Sequence, residues 1–252
     1  MRYTAATAVV LALCAGSASA ELRMFEWTRP QDTVGYTDDA GRIMHAMTTY
    51  NTVSQDLTWQ VSYDDTMTQG ISLILTNGLY PSDAGQNAVL FLDFTDTGNV
   101  KANVYEYNAS NNAPSSIYDG TAHIAGDQAP EKILSSMSGD TSWFGGATVD
   151  DTGGTRTISF SLNTLMINSF ASAYEGRYGP VDWHGMGYTD TVGVWMHGYS
   201  GLTTGYGADG YLDTWDAQLE GFFDGVDIIT TPTPGAATLL GLGALVGVRR
   251  RR

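Results

Sequence analysis

The chain of 252 residues holds a single cysteine, Cys14, and only two lysines, Lys101 and Lys132. The scarcity of cysteine excludes a disulfide framework. Because Cys14 lies in an N-terminal apolar run, loss of that run would also remove the last thiol for a zinc site or a nucleophile. Positive charge is scarce too: 12 Lys and Arg face 27 Asp and Glu, for a net charge of −15. Five of the basic residues, Arg2 and Arg249 to Arg252, sit at the two ends, whereas every acidic residue lies between them. Residues 21–229 therefore carry seven basic against 27 acidic side chains, a net −20. Such a body repels nucleic acid and anionic membrane surfaces, which excludes DNA and RNA as partners. Long stretches of helix-forming residues are also missing, and only 130–137 and 163–169 read as short helix candidates. What remains, 42% hydrophobic residues in 252, is enough for a sizeable single core and speaks against wholesale disorder.

The ends read as addresses. Residues 1–20 place Arg2 before an apolar run from 5 to 15 and close on Ser17-Ala18-Ser19-Ala20. That is the layout of a secretory signal peptide, with Ala18 and Ala20 forming an A-x-A cleavage site ahead of Glu21. Leu13 precedes Cys14 where a lipoprotein signal wants a small residue, so lipidation is disfavoured. Residues 230–252 run from Pro232-Thr233-Pro234-Gly235 through an uncharged stretch, 236–248, to Arg249-Arg250-Arg251-Arg252. As a helix the uncharged stretch rises roughly 20 Å, short of a hydrocarbon core of roughly 30 Å. The arginines hold this terminus on the cytoplasmic side while the leader sends the body out.

On these residues the tail resembles a PEP-CTERM sorting signal, the substrate of exosortase-type transpeptidases, in the short variant of planctomycete-like bacteria. Pro232, Pro234, Gly235 and Arg249, Arg250, Arg251 and Arg252 match its proline motif and arginine cluster, while Thr233 stands where the family has glutamate. The resemblance implies export by signal peptidase and delivery to the cell envelope, cell surface or an exopolysaccharide matrix, with the C-terminal helix as a transient or permanent inner-membrane anchor. More weakly, the Trp59 segment, residues 193–197 and residues 201–210 resemble the bodies of other exported proteins with such tails, which implies no catalytic residues.

Between the ends, residues 21–229 alternate with the period of strands. Strands are expected at 42–50, 57–63, 70–76, 88–94, 100–107, 155–162, 192–197 and 211–223, with turns at Asn77-Gly78, Thr97-Gly98-Asn99, Asp119-Gly120 and 151–154. The expected fold is all-β, a single β-sandwich of jelly-roll-like style whose sheets have one wet and one dry face.

Chemistry is harder to find. The stretch Gly198-Tyr199-Ser200-Gly201-Leu202 ends in leucine where a nucleophile elbow requires glycine. None of His45, His123, His184 and His197 is followed by glutamate as a zincin motif demands, and a His184–His197 metal pair has no further ligands in view. Gly205-Tyr206-Gly207-Ala208-Asp209-Gly210 fits G-x-G-x-x-G without the strand-to-helix context that gives it meaning. The six glutamates are scattered, whereas a glycosidase needs a flanking carboxylate pair. Calcium is the candidate ion, since Asp38-Asp39, Asp64-Asp65, Asp150-Asp151 and Asp224 with Asp227 supply hard oxygens at turns, although turn chemistry accounts for each alone. Trp183, Tyr199, Tyr206 and Tyr211 in glycine-rich segments are candidate sugar-stacking residues, while Trp59, Trp195 and Trp215 are expected in the core. The expected role is non-enzymatic, a structural or interaction protein of the surface or matrix. A carbohydrate-binding module, calcium-assisted, is the alternative, with an extracellular glycoside hydrolase third.

Overall fold

The computed structural model describes residues 21–28, 42–76, 88–106, 132–169, 186–188 and 191–228. Eleven strands and almost no helix are found among them, so the fold is all-β. In chain order the strands are β1 (Leu22–Thr28), β2 (Ile43–Asn51), β3 (Asp56–Tyr63), β4 (Thr68–Thr76), β5 (Ala88–Asp93), β6 (Lys101–Glu106), β7 (Lys132–Ser135), β8 (Phe144–Asp150), β9 (Arg156–Asn163), β10 (Thr191–Tyr206) and β11 (Leu212–Ile228). A four-residue helix, α1 (Leu165–Asn168), follows β9. Both end segments, the leader with Ala18 and Ala20 and the tail with Pro232 to Arg252, lie outside the described residues.

The strands form a five-stranded sheet in the order β1-β2-β3-β9-β8 and a six-stranded sheet in the order β11-β10-β4-β5-β6-β7, antiparallel throughout. The runs β1-β2-β3 and β4-β5-β6-β7 are meanders, which is not the pair of Greek keys that defines a jelly roll.

Alternation decides which side chains face inward. On β3, Leu57, Trp59, Val61 and Tyr63 are buried, and on β9 Ile158, Phe160 and Leu162. They meet Ile71, Leu73 and Leu75 of β4, Leu90 and Leu92 of β5, and Val194 and Met196 of β10 in one continuous apolar cluster, so the two sheets face each other across a shared core. Trp59 sits at its centre, its ring centroid 6.4 Å from that of Phe25 and 6.5 Å from that of Phe160. Burying each such side chain contributes roughly 2 kcal/mol.

Several expectations change. Residues 130–137, expected as a helix, contain strand β7, whose Asn103↔Ser135 and Val104↔Leu134 pairings with β6 outweigh local propensity. Strands β1 and β8 were not expected; both are edge strands, and β8 is broken by glycines. Strand β10 does not stop at His197 but runs on to Tyr206, so a segment expected as glycine-rich loop is largely the arm of a long hairpin.

Candidate functional site

The outer faces of the two sheets differ in what covers them. On the six-stranded sheet, β10 pairs with β4 only as far as Ser200↔Thr68, and beyond that point it continues with β11 alone. The register shifts between Ser200 and Thr203, with Gly201 at φ +57, a left-handed conformation that glycine adopts at little cost. The released arm lies against the outside of its own sheet. There Leu202 and Leu212, with Tyr206, Tyr211 and Trp215 beside them, enclose Ile74, Val89, Phe91 and Tyr105 in a second apolar cluster. Strand β5 is consequently buried on both faces along its whole length.

Polar contacts hold the arm down. Asp93, buried at the end of β5, accepts hydrogen bonds from Thr95 N (3.0 Å), Thr95 Oγ1 (2.7 Å), Thr204 Oγ1 (2.5 Å) and Tyr206 Oη (2.8 Å), and Lys101 Nζ stands 3.8 Å away. Burial alone would raise its pKa, but the donors of Thr204, Thr95 and Tyr206 outweigh it and hold the carboxyl below the ordinary value. At the hairpin tip the carbonyl of Gly210 accepts from Asn103 Nδ2 (3.0 Å) and Ser135 Oγ (2.7 Å), Ser138 Oγ donates to the carbonyl of Asp209, and Lys132 Nζ pairs with Asp209 Oδ2 at 2.7 Å. Gly210 has φ +78, and a Cβ there would stand 2.9 Å from Ser135 Oγ.

The outer face of the five-stranded sheet instead carries an open groove of about 490 Å³ across β2, β3, β9 and β8. Its floor follows from the same alternation that builds the core: between the buried Trp59 and Phe160, the residues Thr58, Gln60, Ser159 and Ser161 point outward. Thr49 on β2 and Thr148 on β8 extend the two rows. Thr49 and Thr58 share a hydrogen bond of 2.6 Å between their hydroxyls, and Gln60 Nε2 donates to Ser159 Oγ at 3.2 Å. At the β8 side, Gly145 and Gly146 occupy a bulge opposite Ser161, where a Cβ on Gly145 would collide with the Ser161 hydroxyl. Among the described residues, none that lines the groove is ionisable.

The aromatic residues singled out from sequence do not line this groove. Tyr199 is fully buried, its hydroxyl donating to Ser72 Oγ at 3.0 Å and its ring against Phe91 and Trp215. Tyr206 is committed to Asp93, and Tyr211 lies edge-on to Tyr105 at 5.8 Å, beside Lys132. Burial closes off Tyr199, while Tyr206 and Tyr211 are half-buried and pack against the second apolar cluster. Trp59 is in the main core as expected; Trp215 packs on the second cluster instead. Trp183 lies outside the described residues.

The acidic pairs are likewise engaged where described. Arg42 pairs with Asp65 and, at 3.8 Å, with Asp64. Arg156, buried at the start of β9, donates Nε and Nη2 to the two oxygens of Asp151 at 2.7 and 2.6 Å, which holds that carboxyl below its ordinary pKa. Asp150 accepts from Thr152 Oγ1 in the turn that follows. Among the described residues no three His, Cys, Asp or Glu side chains come together as a metal site; Asp38-Asp39 fall outside them, as do the side chains of Asp224 and Asp227. His197 has its pKa pushed down to about 4 by burial, so it is neutral at physiological pH, and His184 is outside the described residues. No helix among those residues is long and apolar enough to cross a membrane.

The groove residues were not singled out from sequence. Their signal is the polar half of the alternation, Thr58-x-Gln60-x-Ser62 on β3 and Thr157-x-Ser159-x-Ser161 on β9, in which every outward position is uncharged. In comparisons with known proteins the chain matches no family model, no curated protein and no solved structure.

Proposed function

We propose that this is an exported protein of the cell envelope or extracellular matrix whose work is interaction rather than catalysis. The observation that carries the reading is the pair of terminal segments around an acidic body: a leader ending in Ala18-Ser19-Ala20, and a tail in which Pro232-Thr233-Pro234-Gly235, an uncharged stretch and four arginines follow in order. Signal peptidase removes the first and an exosortase-type enzyme processes the second, while the two-sheet body is the part delivered. C-terminal mass spectrometry on the mature protein from its native cells tests this. A new terminus near Pro232 is the expected result, and an intact Arg249 to Arg252 overturns processing and leaves plain membrane anchoring.

A second reading, a carbohydrate-binding module, is favoured by one observation: the uncharged hydroxyl and carboxamide groove on an otherwise strongly acidic body. Hydroxyl and carboxamide groups donate and accept at once, as sugar hydroxyls do. Calcium assistance belongs to this reading, and repeating the binding measurement with and without calcium tests it.

A further inference from the structure

We propose that the groove on the five-stranded sheet is the docking surface for an uncharged polysaccharide chain that lies across β2, β3, β9 and β8. This rests on the carbohydrate-binding reading and names its site and its ligand class.

The occupant follows from the chemistry of the surface. The body carries a net −20, yet among the described residues no ionisable side chain lines the groove. An anionic polymer would meet repulsion from the body and find no cation in the groove to offset it. A protein partner would be anchored by aromatic or arginine side chains in a dry centre, whereas the two aromatic residues at this floor, Trp59 and Phe160, are only 2% and 4% exposed, and the side chains that stand outward include Met47, Thr49, Thr58, Gln60, Ser159 and Ser161. Neutral sugar units match what is offered. Each hydroxyl of the floor keeps unused donor or acceptor capacity beyond the Thr49–Thr58 and Gln60–Ser159 bonds. Neighbouring strands are about 4.8 Å apart, close to the length of one pyranose residue, so a chain crossing the strands presents a fresh set of hydroxyls to each. At the bulge, Gly146 has nothing within 4 Å of where a Cβ would stand, which lets a sugar ring approach the backbone there.

The test is affinity electrophoresis of the full chain, as matured by cells, through gels containing a neutral glucan, mannan or galactan, with a polyuronate gel run in parallel. Wild type is compared with Thr58→Arg, which fills the centre of the groove, and with Thr58→Val, which keeps its shape and removes one hydroxyl. Retardation by at least one neutral polymer is expected, weakened more than tenfold by Thr58→Arg and about fivefold by Thr58→Val, with thermal melting unchanged in the latter. The proposal is overturned by free migration in every neutral gel, by retardation that both variants leave intact, or by retardation in the polyuronate gel alone. Export and tail processing are scored on the same variants. Lost retardation of Thr58→Arg with normal export supports the groove, retardation that both variants keep overturns the groove and leaves the carbohydrate reading standing, and free migration of wild type in every neutral gel overturns both.

Discussion

Among the described residues, the outer face of one sheet is roofed by the protein's own hairpin, and the outer face of the other is left open. Both sheets are built by alternating strands, so the difference lies in the residues assigned to the outward positions. On β5 these are Val89 and Phe91, which demand cover and receive it from Tyr199, Leu202 and Leu212. On β3 and β9 they are Thr58, Gln60, Ser159 and Ser161, which need none. Aromatic residues in a glycine-rich segment can therefore be a roof as readily as a binding platform, and the open face presents small hydroxyl and amide groups instead.

Substitutions on the two faces should separate along this line. The largest effect is expected from Tyr199→Ala on the roofed face, which empties a fully buried site and lowers unfolding free energy by about 4 kcal/mol, measured by urea denaturation. Next comes Asp93→Asn, which weakens the bonds that hold Thr204 and Tyr206 and costs about 3 kcal/mol at neutral pH. Its pH dependence carries a definite sign. Because the folded pKa of Asp93 is depressed, its stabilisation is complete well above the ordinary value of 3.8 and is lost as pH falls through that value toward the folded one. Wild type should lose more stability than Asp93→Asn across that acid range, and parallel acid limbs in the two proteins would remove Asp93 from the account of the arm.

Gly210→Ala ranks third, at about 2 kcal/mol, since it forces a side chain into φ +78 and against Ser135 and Ser138. Hydrogen exchange should then quicken in residues 201–212 while β3 and β9 keep their protection. The smallest effect belongs to the open face: Thr58→Val should shift unfolding by less than about 0.5 kcal/mol. A cost as large as that of Tyr199→Ala would show that the open face is also structural and dissolve the contrast.

Much of this architecture was legible in the residues. The alternation of Leu57, Trp59, Val61 and Tyr63 correctly placed β3 and its inward face, and the turns at 97–99 and 151–154 separate β5 from β6 and β8 from β9, while Asn77-Gly78 and Asp119-Gly120 lie outside the described residues. The roof was harder to read because β10 continues through Gly198, Gly201 and Gly205, residues that ordinarily mark loops. Its justification is distant in sequence, in the continuous apolar run of β5, where burial on both faces replaces alternation. Lys132 to Ser135 misled for the reverse reason, since local preference yielded to pairing with β6. The groove was legible only as the leftover half of a pattern read for its core, and uncharged polar residues in strands draw no attention until register sets them side by side.

The bulge at Gly145-Gly146 has a further effect on how such molecules live together. Strand β8 is an edge, pairing on one side only among the described residues, and an unpaired edge invites another chain to extend the sheet. Two glycines, one at φ +94, break the straight run of backbone donors and acceptors that a neighbour would need. At this edge a second copy would meet a break rather than a straight ladder, so the rim of the groove is a poor template for backbone pairing.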